Sequence, residues 1–188
     1  MKKKNMPNNF IVITAPSGAG KSTLIEKLRK QDPALVFSVS YTTRAPRGRE
    51  QHGREYFFIS EQEFRKMISN NEFLEWAEVH GNLYGTSSAF INEQLSCGKT
   101  VLLDIDVQGS IILMDKGVKA VYIFISVPSI AELEKRLRRR ATDAPEVIEK
   151  RLKNAEKEMA EMHRWQHVII NDNLERAFQN LKIIIYSM

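Results

Sequence analysis

The sequence predicts an α/β protein in which helices flank a parallel sheet. Apolar runs of strand length recur along the chain, and charged segments with helical periodicity alternate with them. Such alternation is typical of βαβ units, whose parallel sheet is covered by helices on both faces. With 188 residues, of which 43% are hydrophobic, the chain is long enough for one buried core.

Four apolar runs are predicted to be buried parallel strands: Phe10–Thr14, residues 100–105, residues 120–127 and His167–Ile170. Helices are predicted between and after these strands, over residues 23–30, 87–96, 129–140 and 145–164 and over Leu174–Tyr186. Ser129 is a candidate N-cap, because Glu132 follows it at the spacing of a capping box.

Two segments do not fit the alternation. Residues 36–86 are rich in arginine, aromatic residues and glutamate, and short strands and turns are predicted there. Residues 136–157 are highly charged and contain a break at residues 141–145. We interpret the first as an inserted substrate lobe and the second as a helical lid, which leaves residues 8–35, 87–135 and 158–188 for the core of a single domain.

The loop after the first strand has the composition of a phosphate-binding loop (P-loop). It consists of Ala15, Pro16, Ser17, Gly18, Ala19, Gly20, Lys21 and Ser22. Glycines let N–H groups turn toward phosphate oxygens, and the following helix adds its positive end. Lys21 is placed to reach the β- and γ-phosphates, and the Ser22 hydroxyl to bind Mg²⁺. The alternative is an ordinary turn of small residues. Ala15, where the strict motif has glycine, requires a negative φ.

Two arginines in the predicted lobe are suited to bind a phosphate monoester. Arg44 and Arg47 lie three residues apart in a segment that Pro46 keeps out of a helix, and Tyr56 follows. Two guanidinium groups close together form charge-assisted, forked hydrogen bonds to phosphate. The alternative is a solvated basic loop.

Glu75 is a candidate for reading a guanine base. A carboxylate accepts hydrogen bonds from both the N1–H and the exocyclic amine of guanine, a pair of donors that adenine lacks. The hydroxyls of Ser40 and Thr86 are candidates for further contacts with the base. Taken alone, Glu75 would be an ordinary surface acid.

Asp104 and Asp106 end the second apolar run, at the edge where open α/β sheets bind ligands. Because the two residues are two apart on a strand, both carboxylates are expected on one face. An apolar strand that ends in aspartate is typical of P-loop proteins, in which that aspartate holds Mg²⁺, so Asp104 is the metal candidate with Ser22. The sequence leaves open the reverse assignment, in which Asp106 serves the metal and Asp104 the base. The alternative is a strand-end turn.

The predicted lid carries Arg136, Arg140 and Arg151. Lid arginines neutralise charge that develops on a transferred phosphoryl group, so these three are catalytic candidates with Lys21. The alternative is a solvated helix face laced with acids, to which we assign Arg138 and Arg139.

The bulk composition limits the function classes. The net charge of +5 suits an anionic ligand or nucleic acid. We see no RNA-recognition aromatic motif, no apolar run long enough to span a bilayer and no signal-peptide core, so neither nucleic acid nor a membrane is an expected partner. Cys97 is the single cysteine, which excludes an internal disulfide and suits a cytoplasmic location.

Together these residues resemble the guanylate kinases, which transfer the γ-phosphoryl group of ATP to GMP. The resemblance runs from about Asn9 to Leu181 and is most specific in two stretches, residues 37–47 with Gly53 and Tyr56, and residues 104–109. It implies a P-loop NTPase-type parallel sheet with an inserted nucleoside-monophosphate (NMP)-binding lobe and a helical lid. It also implies ATP and GMP as substrates, dGMP as a further acceptor, Mg²⁺ as the cofactor bound with ATP, and a monomer or homodimer in purine nucleotide metabolism.

The resemblance also implies a role for each candidate residue. The P-loop residues and Asn171 correspond to the ATP site. The lid arginines Arg136, Arg140 and Arg151 correspond to catalytic residues. The GMP site corresponds to Ser40, Arg44, Arg47, Tyr56, Glu75, Tyr84, Thr86 and Asp106. The sequence departs from the family in having Gly48 one position early and Ala141 after Arg140, which alters the turn and the lid hinge but removes no charged contact.

Three other functions were weighed. A guanylate-kinase-like module that binds phosphopeptides would use the same arginines, but Lys21, Ser22 and Asp104 argue for an enzyme. A P-loop kinase for another phosphorylated small molecule is disfavoured by Glu75 and Ser40. RNA binding rests on charge alone.

Overall fold

The computed structural model describes residues 9–79, 81–139 and 144–187. Its strands are β1 (Phe10–Thr14), β2 (Val36–Ser38), β3 (Tyr41–Thr42), β4 (Phe57–Phe58), β5 (Phe73–Val79), β6 (Asn82–Ser87), β7 (Val101–Asp104), β8 (Val121–Ser126) and β9 (His167–Ile170). Its helices are α1 (Lys21–Gln31), α2 (Glu61–Ser69), α3 (Ser88–Ser96), α4 (Val107–Asp115), α5 (Ile130–Arg139), α6 (Pro145–Ala160) and α7 (Leu174–Tyr186), with a short 3₁₀ helix over Glu161–Arg164.

The core is a parallel sheet of five strands in the order β2-β7-β1-β8-β9. Central β1 and β8 are buried at every residue because helices cover both faces of the sheet. One face packs against α1, α5, α6 and α7, and the other against α3 and α4. The α/β fold with its parallel sheet is therefore confirmed, as are the four predicted strands.

The core sheet contains one strand that the sequence pattern assigned elsewhere. Val36–Ser38 pairs in parallel with β7, whereas the inserted lobe was predicted to start at residue 36. Three residues are too few to show a strand's periodicity, and Phe37 is half-buried under the guanidinium of Arg29, whose Cζ lies 4.3 Å from the ring centroid. In the structure the lobe begins after Ser38.

The lobe is a second sheet in the order β4-β3-β6-β5, with α2 packed against it. Helix α2 was not predicted, although its signals are present in the sequence. Ser60 and Glu63 form a full capping box, and the buried Phe64 is followed by the partly buried Met67 and Ile68 at helical spacing. The dense arginines and aromatic residues around it suggested only strands and turns.

Helix α4 was also not predicted, and it changes the expected arrangement of the two aspartates. Asp104 ends β7, but Asp106 is the N-cap of α4 and accepts a 2.9 Å hydrogen bond from the backbone N–H of Gly109. The two carboxylates therefore belong to different elements rather than to one strand face.

Helices α5 and α6 form the part of the predicted lid that the structure describes. Ser129 caps α5 as expected, accepting from the backbone N–H of Glu132. Leu133 and Leu137 of α5 and Ile148 of α6 are buried in the main core. Arg140 and Ala141 lie outside the described residues.

Candidate active site

The P-loop has the backbone geometry that anion binding requires. Gly18 and Gly20 have φ angles of +96° and +93°, in the left-handed region that favours glycine. Helix α1 begins directly after Gly20 and has no side-chain N-cap, so its first N–H groups are not satisfied by a capping side chain. Among the described residues only Asn71 combines a side chain with a positive φ, so Ala15 meets the requirement set by the sequence.

The loop is held from below by Asn171, which follows β9. The Asn171 side-chain amide donates a 2.7 Å hydrogen bond to the carbonyl of Ala19, and the backbone carbonyl of Asn171 accepts one of 2.8 Å from Arg136. A Cβ atom at Gly20 would collide with the Asn171 amide, and one at Gly18 would lie 2.9 Å from Leu137. Asn171 thus supports the loop in this structure and also lines a groove beside it with Arg136, Arg139 and Leu174.

Lys21 joins the P-loop to the end of β7. Its ammonium forms an ion pair with Asp104 and donates a 2.8 Å hydrogen bond to the carbonyl of Ile105. The strand register brings Lys21 and Asp104 together. Ile13 of β1 lies opposite Asp104 of β7, and the P-loop follows β1 directly. Asp104 and the exposed Ser22 line the same cleft and offer hard oxygen donors, which are the ligands that Mg²⁺ prefers.

Across this cleft lies a cluster of aromatic and basic side chains from the lobe. Arg44 is only 8% exposed, and its Nε donates to the Tyr84 hydroxyl at 3.2 Å. The Tyr56 ring lies 5.4 Å from Arg44 Cζ and packs edge-on against Tyr84. Burial raises the pKa of the Tyr56 hydroxyl, which therefore remains a neutral donor. The Arg47 side chain is exposed and reaches the cleft without an ion pair among the described residues.

The lobe also holds a buried carboxylate. Glu75 is 2% exposed, and its Oε1 accepts a 2.6 Å hydrogen bond from the Thr86 hydroxyl. Burial and, to a smaller extent, the nearby Asp106 raise the pKa of Glu75 to about 7 against the opposing effects of Thr86 and Lys116. Ser40 lines the same pocket, and its buried hydroxyl has no partner among the described residues. The pocket thus offers the buried Glu75 carboxylate and one unpaired hydroxyl to a ligand, with Asp106 also in its lining.

Gly109 has no side chain and so allows the Glu75 carboxylate to approach helix α4. A Cβ atom at Gly109 would lie 2.6 Å from Glu75 Oε2, which is closer than a carbon and a carboxylate oxygen can approach. We predict that Gly109→Ala displaces this carboxylate and weakens binding of a guanine nucleotide about tenfold or more, since overpacking costs about 1–3 kcal/mol. The measurement is calorimetry with GMP and with ATP. The ATP affinity of the same variant is the control for general damage to the fold. Equal losses for both nucleotides would contradict the prediction.

The lid arginines are placed differently from one another. Arg136 is partly buried, bound to Glu132 at 2.8 Å and to the Asn171 carbonyl. Arg151 on α6 lines the central cleft, as Arg47 does. Arg138 pairs with Glu134, as expected for a solvated helix face. The position of Arg140 falls outside the described part of the chain.

Two acidic residues of the cleft were missed in the sequence. Glu50 binds Arg44, and Glu158 on α6 lines the cleft near Lys21 and Asp106, where burial and Asp106 raise its pKa to about 7. A helical pattern could have found Glu158, because it shares one face of α6 with the buried Ile148 and Ala155.

Comparisons with known proteins agree with this geometry. The family model described as guanylate kinase matches residues 7–188. The chain belongs to the guanylate kinase family. A guanylate kinase of Polaromonas sp. is 52% identical over 181 residues, which cover 96% of this chain and 88% of that protein. One of Koribacter versatilis is 50% identical over 183 residues, covering 96% and 78%.

Solved structures show the same relationship. The crystal structure of guanylate kinase from Anaplasma phagocytophilum superimposes with a TM-score of 0.76 at 33% identity, covering 96% of this chain and 85% of that one. A shikimate kinase from Bacteroides thetaiotaomicron, 14% identical with a TM-score of 0.50, shares the fold. Within the described residues, no helix combines the length and apolarity needed to cross a bilayer.

Proposed function

We propose that this member of the guanylate kinase family transfers the γ-phosphoryl group of ATP to GMP, and also to dGMP, giving ADP and the guanosine diphosphate. The observation that carries the proposal is the buried carboxylate of Glu75, which faces the same cleft as a P-loop with an open helix end. A carboxylate held so far from water needs a ligand that donates hydrogen bonds to it.

Guanine supplies those donors. In the proposed complex the ionised Glu75 accepts from N1–H and the exocyclic amine while keeping its bond from Thr86. The unpaired hydroxyl of Ser40 is free to bind the base, and Asp106 lines the same pocket. Adenine presents an acceptor at N1, so the same carboxylate would repel it.

The phosphate of GMP is proposed to lie among Arg44, Arg47, Tyr56 and Tyr84. These side chains provide guanidinium and hydroxyl donors at the point where the lobe faces the P-loop. The acceptor oxygen of GMP is already ionised near neutral pH, so no general base is required. Residues that hold the two phosphates in line therefore supply most of the catalysis.

The ATP side of the cleft is proposed to hold the phosphates on the P-loop amides and on Lys21. Lys21 would exchange its contacts with Asp104 and Ile105 for phosphate oxygens, and Arg136, Arg140 and Arg151 would neutralise charge on the transferred group. Asp104 and Ser22 would hold Mg²⁺, which supplies charge neutralisation on the β- and γ-phosphates. Asn171 is proposed to lie beneath the adenine side of this site.

One copy of the chain contributes residues to both halves of the cleft. The proposal therefore applies equally to a monomer and to a homodimer. The single Cys97 is exposed and suits a reducing, cytoplasmic environment.

A panel of acceptors tests the function. Release of ADP from ATP–Mg²⁺ is followed in a coupled assay with GMP, dGMP, AMP, UMP or CMP as the acceptor. We expect turnover with the guanine nucleotides and at most traces with the others. Comparable turnover with a pyrimidine nucleotide or with AMP would refute the proposed base choice. Absence of turnover with every acceptor would refute the proposed reaction.

The pH dependence of base binding provides a separate prediction. Guanosine needs the ionised carboxylate, and the pKa of Glu75 is about 7 in the free protein. Protonation below that pH removes an acceptor, so we expect guanosine affinity to fall about tenfold from pH 8 to pH 6. Guanosine is used because the phosphate of GMP titrates near pH 6. The control is Glu75→Gln, whose weak guanosine affinity should not change with pH, even though Glu158 titrates in the same range. A wild-type profile as flat as that of the variant would contradict the assignment.

A further inference from the structure

One carboxylate connects the two arginines of the predicted phosphate clamp. Glu50 Oε2 accepts a 2.8 Å hydrogen bond from the backbone N–H of Arg47 and lies 3.0 Å from Nη1 of Arg44. Its Oε1 accepts from Nη2 of Arg44, also at 3.0 Å. The turn itself is closed by a 3.0 Å bond from the Glu50 N–H to the Arg47 carbonyl. Glu50 thus fixes the side chain of one arginine and the backbone of the other.

The contacts of Arg44 leave it little capacity for a ligand. A guanidinium has five N–H groups. In Arg44 the Nε–H goes to Tyr84, one N–H of Nη1 to the Ala45 carbonyl and one of Nη2 to Glu50. Nη1 also forms an ion pair with Glu50 Oε2 at 3.0 Å. In the described part of the chain, this leaves the second N–H of Nη2 as the one donor with neither a hydrogen bond nor an ion pair. The exposed Arg47 side chain, in contrast, has no hydrogen bond or ion pair to any described residue, so its guanidinium fork faces the cleft.

The charge of Glu50 persists at neutral pH. Burial alone would raise the pKa of its carboxyl, but the hydrogen bonds from Arg44 and Arg47 and the charges of both arginines lower it below the ordinary value. The half-buried carboxylate therefore neutralises most of the charge of Arg44. Arg47 is then the main source of positive potential at the clamp.

We propose that Glu50 is a positioning residue for the acceptor phosphate, an inference that rests on the proposed function. It holds Arg44 rigidly beside Tyr84, so that Arg44 offers one oriented donor, and it fixes the turn from which Arg47 supplies the forked contact. The two arginines are thus not equivalent. Because the Arg47 N–H anchors Glu50 independently of Arg44, the carboxylate stays in place when the phosphate binds.

The first test is Glu50→Gln. The amide has one acceptor oxygen, and its NH₂ group would face either the Arg47 N–H or the Arg44 guanidinium, so the clamp loosens. We expect GMP to bind about tenfold more weakly by calorimetry, with guanosine affinity and kcat within about twofold of wild type. Glu61→Gln is the matched control, since Glu61 lies in the same lobe and, among the described residues, its carboxylate pairs with the exposed Arg65 alone. Equal losses of GMP and guanosine would indicate a general defect of the lobe and overturn the inference.

The second test uses Arg44→Ala as the background. Without Arg44, the Glu50 carboxylate keeps its bond from the Arg47 N–H but loses its ion pair, and its negative charge lies beside the phosphate site. Adding Glu50→Gln should then strengthen GMP binding about threefold or more, the opposite of its effect in the wild-type chain. If Glu50 had a purely structural role, Glu50→Gln would weaken GMP binding in both backgrounds. Tighter GMP binding by Glu50→Gln in the wild-type background would overturn the inference, because Glu50 would then compete with the phosphate rather than place its donors.

The two proposals fail in different ways. If the wild-type chain does not phosphorylate GMP, the proposed function fails. If it does so and Glu50→Gln leaves GMP affinity unchanged, only the role of Glu50 is refuted.

Discussion

Replacing Lys21 with alanine is expected to lower kcat with GMP by about 10²–10³-fold or more. In the structure the ammonium of Lys21 lies between the P-loop and β7, bound to Asp104 and to the Ile105 carbonyl. A charge at this place stabilises the transition state more than the bound substrates, because negative charge shifts toward the β–γ bridge during transfer. Losing one such preorganised donor typically costs about 10²–10³ in kcat.

The same variant should retain the acceptor site. Glu75, Arg44 and Arg47 belong to the lobe, so GMP affinity by calorimetry should stay within about threefold of wild type. Lys21→Met keeps the length of the side chain and should behave like Lys21→Ala. Lys30→Ala on the exposed face of the same helix should leave kcat unchanged. Near-normal turnover of either Lys21 variant would remove Lys21 from the mechanism.

Glu75→Gln is expected to have the second large effect, on base choice. Glutamine keeps the size of the side chain and can still accept from Thr86, but it offers one acceptor and one amide donor. We expect kcat/KM for GMP to fall by about 10²–10³-fold. The ratio of kcat/KM for GMP to that for AMP should narrow by a similar factor, since sites built to bind a polar group reject its analogue by up to about 10⁴. An unchanged ratio would leave Ser40, Thr86 or Asp106 to carry the selectivity.

The same substitution should stabilise the free protein. The pKa of Glu75 is about 7 in the fold and about 4.5 in the unfolded chain. The folded state therefore binds the proton of Glu75 more tightly. The contribution of Glu75 to the free energy of unfolding is most favourable below pH 4.5 and declines as the pH rises through 7. The cost above pH 7 is about 3 kcal/mol, because each pKa unit corresponds to about 1.4 kcal/mol. Glutamine cannot ionise, so Glu75→Gln should unfold at higher denaturant concentration than wild type at pH 8 and at nearly the same concentration at pH 4.5. A less stable variant at pH 8 would contradict this.

These opposite effects on stability and activity are expected of a binding residue. A carboxylate 2% exposed, with one hydrogen bond, is unfavourable in the free protein. The guanine donors would remove that cost on binding. A residue that lowers the stability of the free protein in this way is expected to serve binding. This indication of function needs no comparison of sequences.

Much of the core could be predicted from the sequence, because its signals are local. The strands Phe10–Thr14 and His167–Ile170 are continuous apolar runs, and the glycines of the P-loop precede a helical pattern directly. The elements that the sequence pattern did not predict are short or lie in segments dominated by other residue types. Strand β2 has three residues, and helix α4 follows Asp106 so closely that the strand and the helix read as one segment.

Candidate site residues could be proposed from the sequence where they belong to a motif. They could not be proposed where their role depends on a contact that forms only in the folded chain. Lys21, Arg44 and Glu75 are unusual residues in recognisable surroundings. Glu50 is one of several acids in a charged loop. Only the folded turn shows that its carboxylate accepts hydrogen bonds from the Arg44 side chain and the Arg47 backbone. Likewise, only the structure shows that the Asn171 amide supports Ala19 beneath Gly20.

Transfer of a labelled phosphoryl group tests the central claim most directly. The protein is incubated with ATP carrying ³²P in the γ-phosphate, Mg²⁺ and GMP, and the products are separated by ion-exchange chromatography. We predict that the label appears in GDP, in a one-to-one ratio with the ADP formed, and that the Lys21→Ala variant forms neither at a comparable rate. Label found in inorganic phosphate or on the protein, with none in GDP, would contradict the account.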